Sequence, residues 1–347
     1  MSSSFATLGP RQEAEITGFL LRIFGMTAVP PDLSPPALGW KYFDPHPWWA
    51  EGRSYVLRTP GNEIAAHGCV APVRFAPDGG GLVESMQVID WAAGKAVPGA
   101  GLLVYRRCLE VSRGTLLAIG GSEDTRKIIP LVKWFSARED IRQYGCPIRP
   151  WQHFMRSDKT SRQVAKLGRN LWWSRTPGRP SAGAWRARPA RPGEPVFAHR
   201  GDFIPVVRTR EWFDYLCRCP VAKTELVILE KDGVPAGHAL LSNAEGSVRV
   251  ADFVVDGEAA AQAERVPAFS AVLGYVAAQA SAAELVAASS LTEVCGVFEQ
   301  CGLRPRGVIP VYLADPRKQL SPHRRLETTL MIGDAFYRYD PQYPFAF

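Results

Sequence analysis

Apolar and polar positions alternate in short runs along the first half of the chain, as in β-strands, before they change to helical spacing. The runs at 54–58 and 63–75 are joined by Thr59-Pro60-Gly61-Asn62, whose residues favour a tight hairpin turn. After this hairpin the pattern predicts a strand at 83–89, a helix at 102–111 that ends at Arg113-Gly114, and a strand at 115–120. The first half is therefore expected to form antiparallel strands followed by strand, loop, helix and strand.

A glycine-rich loop, residues 93–101, joins the strand at 83–89 to the helix. It contains Gly94, Gly99 and Gly101. A glycine loop that opens a helix leaves backbone N–H groups at the positive end of the helix dipole, and these groups suit an anionic phosphate. The loop therefore predicts a phosphate site.

This order of strands around a phosphate loop resembles the GNAT superfamily of N-acetyltransferases. In that family an Arg/Gln-x-x-Gly-x-Gly/Ala loop holds the pyrophosphate of acyl-coenzyme A, and the matching residues here are 96–101, Ala96-Val97-Pro98-Gly99-Ala100-Gly101. Ala96 replaces the basic or amide residue of the pattern, and Lys95 is placed to supply the missing charge. The resemblance covers roughly the first 150 residues and implies that acetyl-CoA or another acyl-CoA is the co-substrate. The cofactor-binding residues that it implies in the loop are Lys95, Val97, Gly99, Ala100, Gly101 and Leu102.

The second half repeats this order of elements. The pattern predicts a hairpin of 225–230 and 234–241, a strand at 247–255, a helical stretch at 259–280 broken near Pro267, a strand at 284–288, a helix at 291–300 and a strand at 308–313. The fold class expected is thus α/β (α+β), with two tandem GNAT-like mixed β-sheets flanked by helices. The domains expected are 1–155 for acyl-CoA binding, a basic linker at 156–195 and a degenerate GNAT-like domain at 196–347.

The two halves differ where a cofactor would bind. Asp256-Gly257-Glu258 follows the strand at 247–255, and its two acids would repel a polyphosphate. We therefore expect acyl-CoA in the first half only. The second half is expected to shape the acceptor site or to form the interface of a homodimer.

The family transfers an acyl group directly to an amine, so a base must remove a proton from the ammonium. The resemblance implies a base on the strand before the loop, where Glu84 lies in an otherwise apolar run that would raise its pKa. The alternative is that Glu84 faces solvent at the strand edge. On the same strand the backbone of Met86, Gln87 and Val88 is expected to pair with the pantetheine arm.

The family often has a tyrosine as general acid on the helix after the fifth strand, but residues 122–135 contain no tyrosine. Ser122 is the candidate there to orient CoA or substrate, with a helix N-cap as the simpler alternative. His67 is expected to be a hydrogen-bonded structural residue rather than the base. The aromatic segment 40–49 is expected to cover the acceptor or to close the sheet.

Composition narrows the class of protein. The chain has 347 residues and no apolar run of about 18, so we expect two domains and no membrane-spanning helix. The seven scattered cysteines and the absence of a signal sequence favour a cytoplasmic protein. No residue spacing fits a metal site, because Cys217-Arg218-Cys219 is too tight for zinc.

The positive charge is concentrated in one segment. Residues 156–191 contain ten Lys or Arg and one acid, Asp158, whereas the whole chain has a net charge of +7. Within it, Val164, Leu167 and Leu171 recur at helical spacing. We expect a linker helix with its arginines in solvent. The alternatives are an amphipathic helix of residues 156–175 that lies on an anionic membrane at the inner face or binds an anionic substrate, or a surface for an acidic acyl carrier protein. No nucleic-acid recognition motif is present.

The sequence thus predicts an N-acyltransferase that uses acyl-CoA and an amine acceptor, such as an amino sugar or an amino acid. Two alternatives stay open. The chain could be a non-catalytic binding or scaffold protein of the same fold, or an acyltransferase that takes its acyl group from acyl carrier protein.

Overall fold

A computed structural model describes residues 4–77, 81–155, 161–174, 180–257 and 262–338. The strands are β1 (Ser4–Thr7), β2 (Ser54–Arg58), β3 (Ile64–Phe75), β4 (Val83–Ala93), β5 (Leu116–Ile119), β6 (Phe135–Ala137), β7 (Ile141–Pro147), β8 (Trp185–Pro189), β9 (Phe203–Ile204), β10 (Lys223–Lys231), β11 (Val234–Ala244), β12 (Ser247–Val255), β13 (Glu284–Ser289), β14 (Arg304–Ile309), β15 (Val311–Ala314) and β16 (Arg325–Leu326). The helices are α1 (Glu13–Phe24), α2 (Pro35–Leu38), α3 (Ala100–Val111), α4 (Glu123–Ile128), α5 (Pro150–Met155), α6 (Ser161–Ser174), α7 (Arg210–Cys217), α8 (Gln262–Ala278) and α9 (Thr292–Gln300).

The chain forms two compact units. The first comprises Met1–Glu139, Arg218–Val221 and Pro310–Arg325. The second comprises Asp140–Cys217, Ala222–Ile309 and Leu326–Phe347. Each unit contains one seven-stranded mixed sheet with helices packed on it, which confirms the expected fold class.

The first unit has the strand order β1-β2-β3-β4-β5-β15-β6, and only β4 and β5 run parallel. The hairpin between β2 and β3 turns where the sequence predicted, with Asn62 at φ 67°. One core lies between the sheet and α3 and includes Val104, Val70 and Val88. A second core lies under α1 and includes Leu20 and Ile89. β4 therefore contributes to both cores, through Val88 in the first and Ile89 in the second.

The second unit has the order β14-β7-β13-β12-β11-β10-β8, and only β12 and β13 run parallel. The turn between β10 and β11 has Asp232 at φ 51° and Gly233 at φ 82°, as a two-residue turn with positive φ requires. Helices α8 and α9 cover this sheet through a core that includes Phe269 and Phe298. The predicted break near Pro267 is wrong, because α8 continues through this residue. Pro267 is the sixth residue of the helix as described, so its missing N–H removes one helical hydrogen bond without ending the helix.

Two pairs of strands that are consecutive in the chain are divided between the two seven-stranded sheets. β6 lies in the first sheet and β7 in the second, while β14 lies in the second sheet and β15 in the first. The compact units are therefore interleaved along the chain, whereas the sequence divided it into the consecutive segments 1–155, 156–195 and 196–347. In addition, β8 forms within the expected linker, where Trp185 is buried and its neighbour Arg186 is exposed.

No helix within the described residues is long and apolar enough to cross a membrane. Within the same ranges, no group of three or more His, Cys, Asp or Glu side chains is placed to hold a metal ion.

Candidate active site

The parallel strands β4 and β5 separate in the first unit. Their pairing comprises Met86 with Leu116 and Gln87 with Leu117, and in the described part of the chain it ends there. β4 nevertheless continues six residues further, to Ala93, while β5 ends at Ile119. The final residues of β4 thus have an edge that β5 does not pair with, next to the glycine-rich loop.

A β-bulge lies on this open part of β4. Cys69 pairs with Ile89 but His67 pairs with Ala92, so that Asp90 and Trp91 together oppose one residue of β3. Asp90 has φ 49°, which an aspartate tolerates better than most residues. The bulge therefore changes the direction of the strand where β4 and β5 have separated.

Asp90 is held by two side chains from a π-helical turn, Gly39–Phe43. The Lys41 Nζ lies 2.6 Å from the Asp90 Oδ2, and the Tyr42 hydroxyl donates to the same oxygen at 2.8 Å. The side chains of Lys41 and Asp90 are only 1% and 4% exposed. The aromatic segment 40–49, which was expected to cover the acceptor or to close the sheet, thus supplies buried anchors for the bulge.

His67 fixes the bulge from the neighbouring strand. Its Nδ1 lies 2.9 Å from the Asp90 backbone oxygen, and its Nε2 lies 3.0 Å from the Ser54 hydroxyl. A carbonyl can only accept, so Nδ1 carries the proton and Nε2 accepts from Ser54. Burial lowers the pKa of His67 to about 4, which keeps the ring neutral. His67 is therefore hydrogen-bonded as predicted, and that it does not act as the base stays a prediction.

Trp91, the second residue of the bulge, packs on the start of α3. Its Nε1 donates to the Gly101 backbone oxygen at 3.0 Å, and its ring meets Tyr105 edge-on at 4.7 Å between centroids. A Cβ on Gly101 would lie 2.7 Å from the Trp91 Cζ2, closer than packing allows. Gly101 is therefore required for close contact between β4 and α3, in addition to any role toward a ligand.

The N-terminus of α3 is open. Its N-cap residue, Gly99, has φ 73° and no side chain to cap the helix. The Ala100 N–H bonds to the Val97 oxygen and the Leu103 N–H to the Gly99 oxygen, both at 3.1 Å. Among the described residues no acceptor is found for the N–H groups of Gly101 and Leu102. Two adjacent free donors at a helix N-terminus, beside the exposed Lys95, form a suitable site for a pyrophosphate.

The residues expected to bind pantetheine lie around the point of separation. The Met86 N–H donates to the Thr115 oxygen at 3.3 Å, so this residue is already paired with β5. Backbone groups alternate in direction along a strand, so Val88 turns its N–H and C=O to the same edge, one residue beyond the last pair. Val88 is therefore the best placed of the three, and ligand binding by Met86, Gln87 and Val88 stays a prediction.

Glu84 is the second residue of β4, and the strand extends four residues beyond its predicted end at Ile89. It is about 20 Å along the strand from Asp90, at roughly 3.3 Å per residue. Its surroundings are not apolar as the sequence suggested, since Arg74 lies 3.0 Å and Arg113 2.5 Å from its two carboxylate oxygens. Its role as base stays a prediction.

Glu84 borders a shallow, open depression in the first unit. Trp48 and Trp49 form part of its wall, and each carries a guanidinium over its ring. Arg74 lies 5.4 Å from the centroid of Trp48, and Arg113 lies 5.8 Å from that of Trp49. The depression therefore combines aromatic faces, two cations and one carboxylate.

Ser122 caps α4, the helix that follows β5. Its hydroxyl accepts from the Thr125 N–H at 3.2 Å, so Ser122 is a helix N-cap, as the simpler alternative expected. A further role of Ser122 toward CoA or substrate stays a prediction. In the second unit Asp256 and Gly257 follow β12, whereas Glu258 lies outside the described residues.

The sequence reasoning missed Lys41, Asp90 and Trp91. Asp90 did not stand out in the run 83–93, because Glu84, Ser85 and Gln87 in the same run are also polar. Lys41 offered no local signal, because its partner is 49 positions away in the chain.

Solved structures with the same fold include acyltransferases. A GCN5-related N-acetyltransferase from Anabaena variabilis is 8% identical, with a TM-score of 0.56 over 90% of this chain and 72% of that one. Saccharomyces cerevisiae N-myristoyltransferase with bound myristoyl-CoA is 12% identical, with a TM-score of 0.58 over 96% of this chain and 86% of that one. A tandem GNAT protein from the clavulanic acid biosynthesis pathway is 12% identical, with a TM-score of 0.52 over 90% and 98%.

No protein-family model matches the sequence, and no curated protein matches it. At identities this low, the structural likeness establishes the fold and not the activity. The strand order of each unit and these neighbours agree with the resemblance drawn from the loop at 96–101. The chain therefore has the fold of the GNAT superfamily, with two GNAT-like units in tandem.

Proposed function

We propose that the protein is an acyl-CoA-dependent N-acyltransferase whose first unit binds the donor. The observation that carries this proposal is the open N-terminus of α3, placed directly after a bulged strand that has separated from its parallel neighbour. The N-terminus of α3 suits a pyrophosphate, and the open edge of β4 suits a peptide-like arm. Acyl-CoA contains both groups.

The structural neighbours support this donor. Two of them are described as N-acetyltransferases or tandem GNAT proteins, and the yeast N-myristoyltransferase was solved with myristoyl-CoA bound. Acetyl-CoA and myristoyl-CoA share the CoA portion and differ in the length of the acyl chain. The proposal therefore names acyl-CoA as the donor and leaves acetyl and longer chains to be tested side by side.

In the proposed reaction the N–H groups of Gly101 and Leu102, with Lys95, hold the pyrophosphate. The backbone of Val88 pairs with the pantetheine arm at the open edge of β4. The amine of an amino sugar or amino acid attacks the thioester carbonyl, so that a C–N bond forms and the C–S bond breaks. The CoA thiolate leaves, and the proton from the amine passes to a base, for which Glu84 is the candidate, or through water to the thiolate.

Calorimetric titration with acetyl-CoA and longer acyl-CoAs tests the donor site, and Gly99 offers a matched pair of variants. A Cβ at Gly99 meets no atom within 4 Å, and Asp and Asn both tolerate its positive φ. We expect saturable binding at one site, weakened at least about tenfold in Gly99→Asp relative to Gly99→Asn, because only Asp places a negative charge beside the phosphates.

The difference between the two variants should shrink as salt is added, since the charges are exposed. Equal affinities of Gly99→Asp and Gly99→Asn would show that the pyrophosphate does not bind at α3. Absence of binding by the wild type to any acyl-CoA would overturn the donor assignment, and acyl carrier protein would be the next donor to titrate.

A non-catalytic acyl-CoA-binding protein is the second candidate. Ala96 at the basic position of the loop favours it, as does the absence of tyrosine from α4. Release of free CoA thiol in the presence of a panel of amines distinguishes the two. Tight acyl-CoA binding without amine-dependent release across the panel would favour this second candidate.

A further inference from the structure

The side-chain oxygen of Gln87, on β4, is buried without a hydrogen-bond partner. Gln87 is only 1% exposed, and among the described residues no donor is found for its Oε1. An unpaired amide oxygen in a protein interior is costly, and native proteins contain few of them. Such a group is retained at lower cost where a bound ligand supplies the missing donor, so Gln87 is a candidate to contact a ligand.

Gln87 lies at the closed end of the split between β4 and β5. It forms the last parallel pair with Leu117, and Val88 is the next residue along β4. The other end of the split adjoins α3, because a Cβ on Gly101 would lie 3.2 Å from the Cβ of Ala93.

The length of the split fits the arm of CoA. From Ala93 back to Val88 is five residues of β4, or about 17 Å at 3.3 Å per residue. The extended phosphopantetheine arm of CoA has a comparable length. With the pyrophosphate at the N-terminus of α3, the thioester at the end of this arm therefore comes to lie beside Gln87.

The side chain of Gln87 belongs to the face of the sheet opposite α3. Its neighbour Val88 is part of the core under α3, whereas Ile89 is part of the core under α1. Side chains alternate along a strand, and the bulge begins only after Ile89, so Gln87 shares the face of Ile89. Tyr42 lies in the same core as Ile89. Gln87 is thus on the face that carries part of the aromatic segment 40–49, which was expected to cover the acceptor or to close the sheet.

We propose that the Oε1 of Gln87 accepts a hydrogen bond from the acceptor amine and holds its nitrogen at the thioester carbonyl. The inference rests on the proposed acyltransferase function and names a residue that selects its substrate. An amide oxygen accepts a hydrogen bond without carrying a charge. A carboxylate at this place would instead stabilise the ammonium form, which has no lone pair for attack.

The contact predicts the class of amine. A primary amine has two hydrogens, of which one passes to the base when the C–N bond forms and the C–S bond breaks. The other stays on the nitrogen of the amide product and keeps its bond to Gln87. A secondary amine loses its only hydrogen at this step. We therefore expect primary amines to be preferred over their N-methyl derivatives.

Urea unfolding of Gln87→Met tests whether the amide is unpaired in the free protein. Methionine matches glutamine in length but removes the unpaired polar group, so the unfolding midpoint should stay the same or rise. Gln279→Met is the matched control and should lower the midpoint, because the Gln279 Nε2 donates to the Glu225 Oε1 at 2.9 Å. A similar fall in Gln87→Met would show that its amide is already satisfied without substrate, and would overturn the proposal.

Amine-dependent release of CoA tests the contact itself. Gln87→Met should lower kcat/KM for a primary amine roughly tenfold, and for its N-methyl derivative by less, since one hydrogen bond is lost. Its affinity for acetyl-CoA should stay within about twofold of the wild-type value, as the donor does not use this side chain.

The outcomes separate this inference from the proposed function. Wild-type kcat/KM in Gln87→Met, or an equal loss for both amines, would overturn the role of Gln87 while the acyltransferase activity stands. A loss of acetyl-CoA affinity would assign the amide to the donor instead. If the wild type itself neither binds an acyl-CoA nor releases CoA with any amine, the proposed function fails and the role of Gln87 fails with it.

Discussion

Lys41 and Asp90 form a buried ion pair, with 2.6 Å between Nζ and Oδ2, at the bulge of β4. A charge that is removed from water is stabilised only if its partner stays in place, since each ion alone would carry a large desolvation cost. The pair therefore links the turn at Gly39–Phe43 to the strand beside the proposed donor site. Loss of the ion pair should therefore affect both the stability of the protein and the geometry of the proposed donor site.

The pair predicts strongly coupled effects on stability. Lys41→Met leaves the Asp90 carboxylate buried without its cation and should lower the free energy of unfolding by about 3–5 kcal/mol. The double variant Lys41→Met/Asp90→Asn should lose much less than the sum of the single variants. Urea unfolding measures all three.

Lys127→Met is the control, because Lys127 and Glu123 also lie 2.6 Å apart but are exposed. It should change stability by less than about 1 kcal/mol. Additive losses in the double variant would contradict the coupling of Lys41 and Asp90.

Gly101 predicts a packing effect that is separate from ligand binding. Gly101→Ala should destabilise the protein by about 1–3 kcal/mol, because the new methyl group collides with Trp91. Gly18→Ala in α1, where a Cβ meets no atom within 4 Å, should be neutral or stabilising by up to about 1 kcal/mol. Thermal unfolding of both variants gives the comparison, and equal behaviour would show that the Trp91 contact imposes no constraint.

Glu84 as the base predicts a loss of turnover without a loss of donor binding. Glu84→Gln should lower the rate of amine-dependent CoA release about 100-fold while acyl-CoA affinity stays the same. Arg113→Gln keeps the Glu84 carboxylate and removes one of its two ion pairs. It therefore distinguishes the effect of losing the carboxylate from the effect of losing an ion pair. Wild-type turnover in Glu84→Gln would place the base elsewhere and leave the donor site intact.

His67 predicts acid sensitivity over a defined range. The pKa of His67 is lowered to about 4 by burial, whereas in the unfolded chain it is near 6.5. Between these values the unfolded chain binds a proton that the native protein does not, so stability falls as pH decreases from 6.5 to 4. The contribution of His67 is about 3 kcal/mol at most.

Chemical unfolding at several pH values tests this expectation. His67→Gln keeps a hydrogen-bond donor and removes the titration, so its stability should fall less between pH 6.5 and 4. His323→Gln, at an exposed position, controls for the loss of one histidine. An identical decline in His67→Gln and the wild type would contradict the assignment.

Local chemistry made much of the fold predictable. The turns at 59–62 and 231–233 contain the residues that tight turns need, and both hairpins form there. The helix after the glycine loop begins at Ala100 for the same reason, since Gly99 supplies the left-handed conformation before it. These features depend on a few neighbouring residues, which a sequence displays directly.

Features set by distant parts of the chain could not be predicted in this way. The register shift that creates the bulge depends on how β3 pairs with β4, and Lys41 reaches Asp90 only in the folded protein. The rotation of α6 is likewise set by Trp173 and Arg306, which are far apart in sequence. Periodicity identified the helix but not the side that faces outward.

The position of β15 has a consequence for the order in which the protein is made. Residues 311–314 fill the place between β5 and β6, so the first sheet lacks an internal strand until these residues, which lie far beyond β5 and β6 in the chain, have left the ribosome. During synthesis, β5 presents an unpaired edge of the kind that invites aggregation. Strands β1 to β5 are therefore translated before the strand that completes their sheet, which makes residues 311–314 a condition for completing the fold of the first unit.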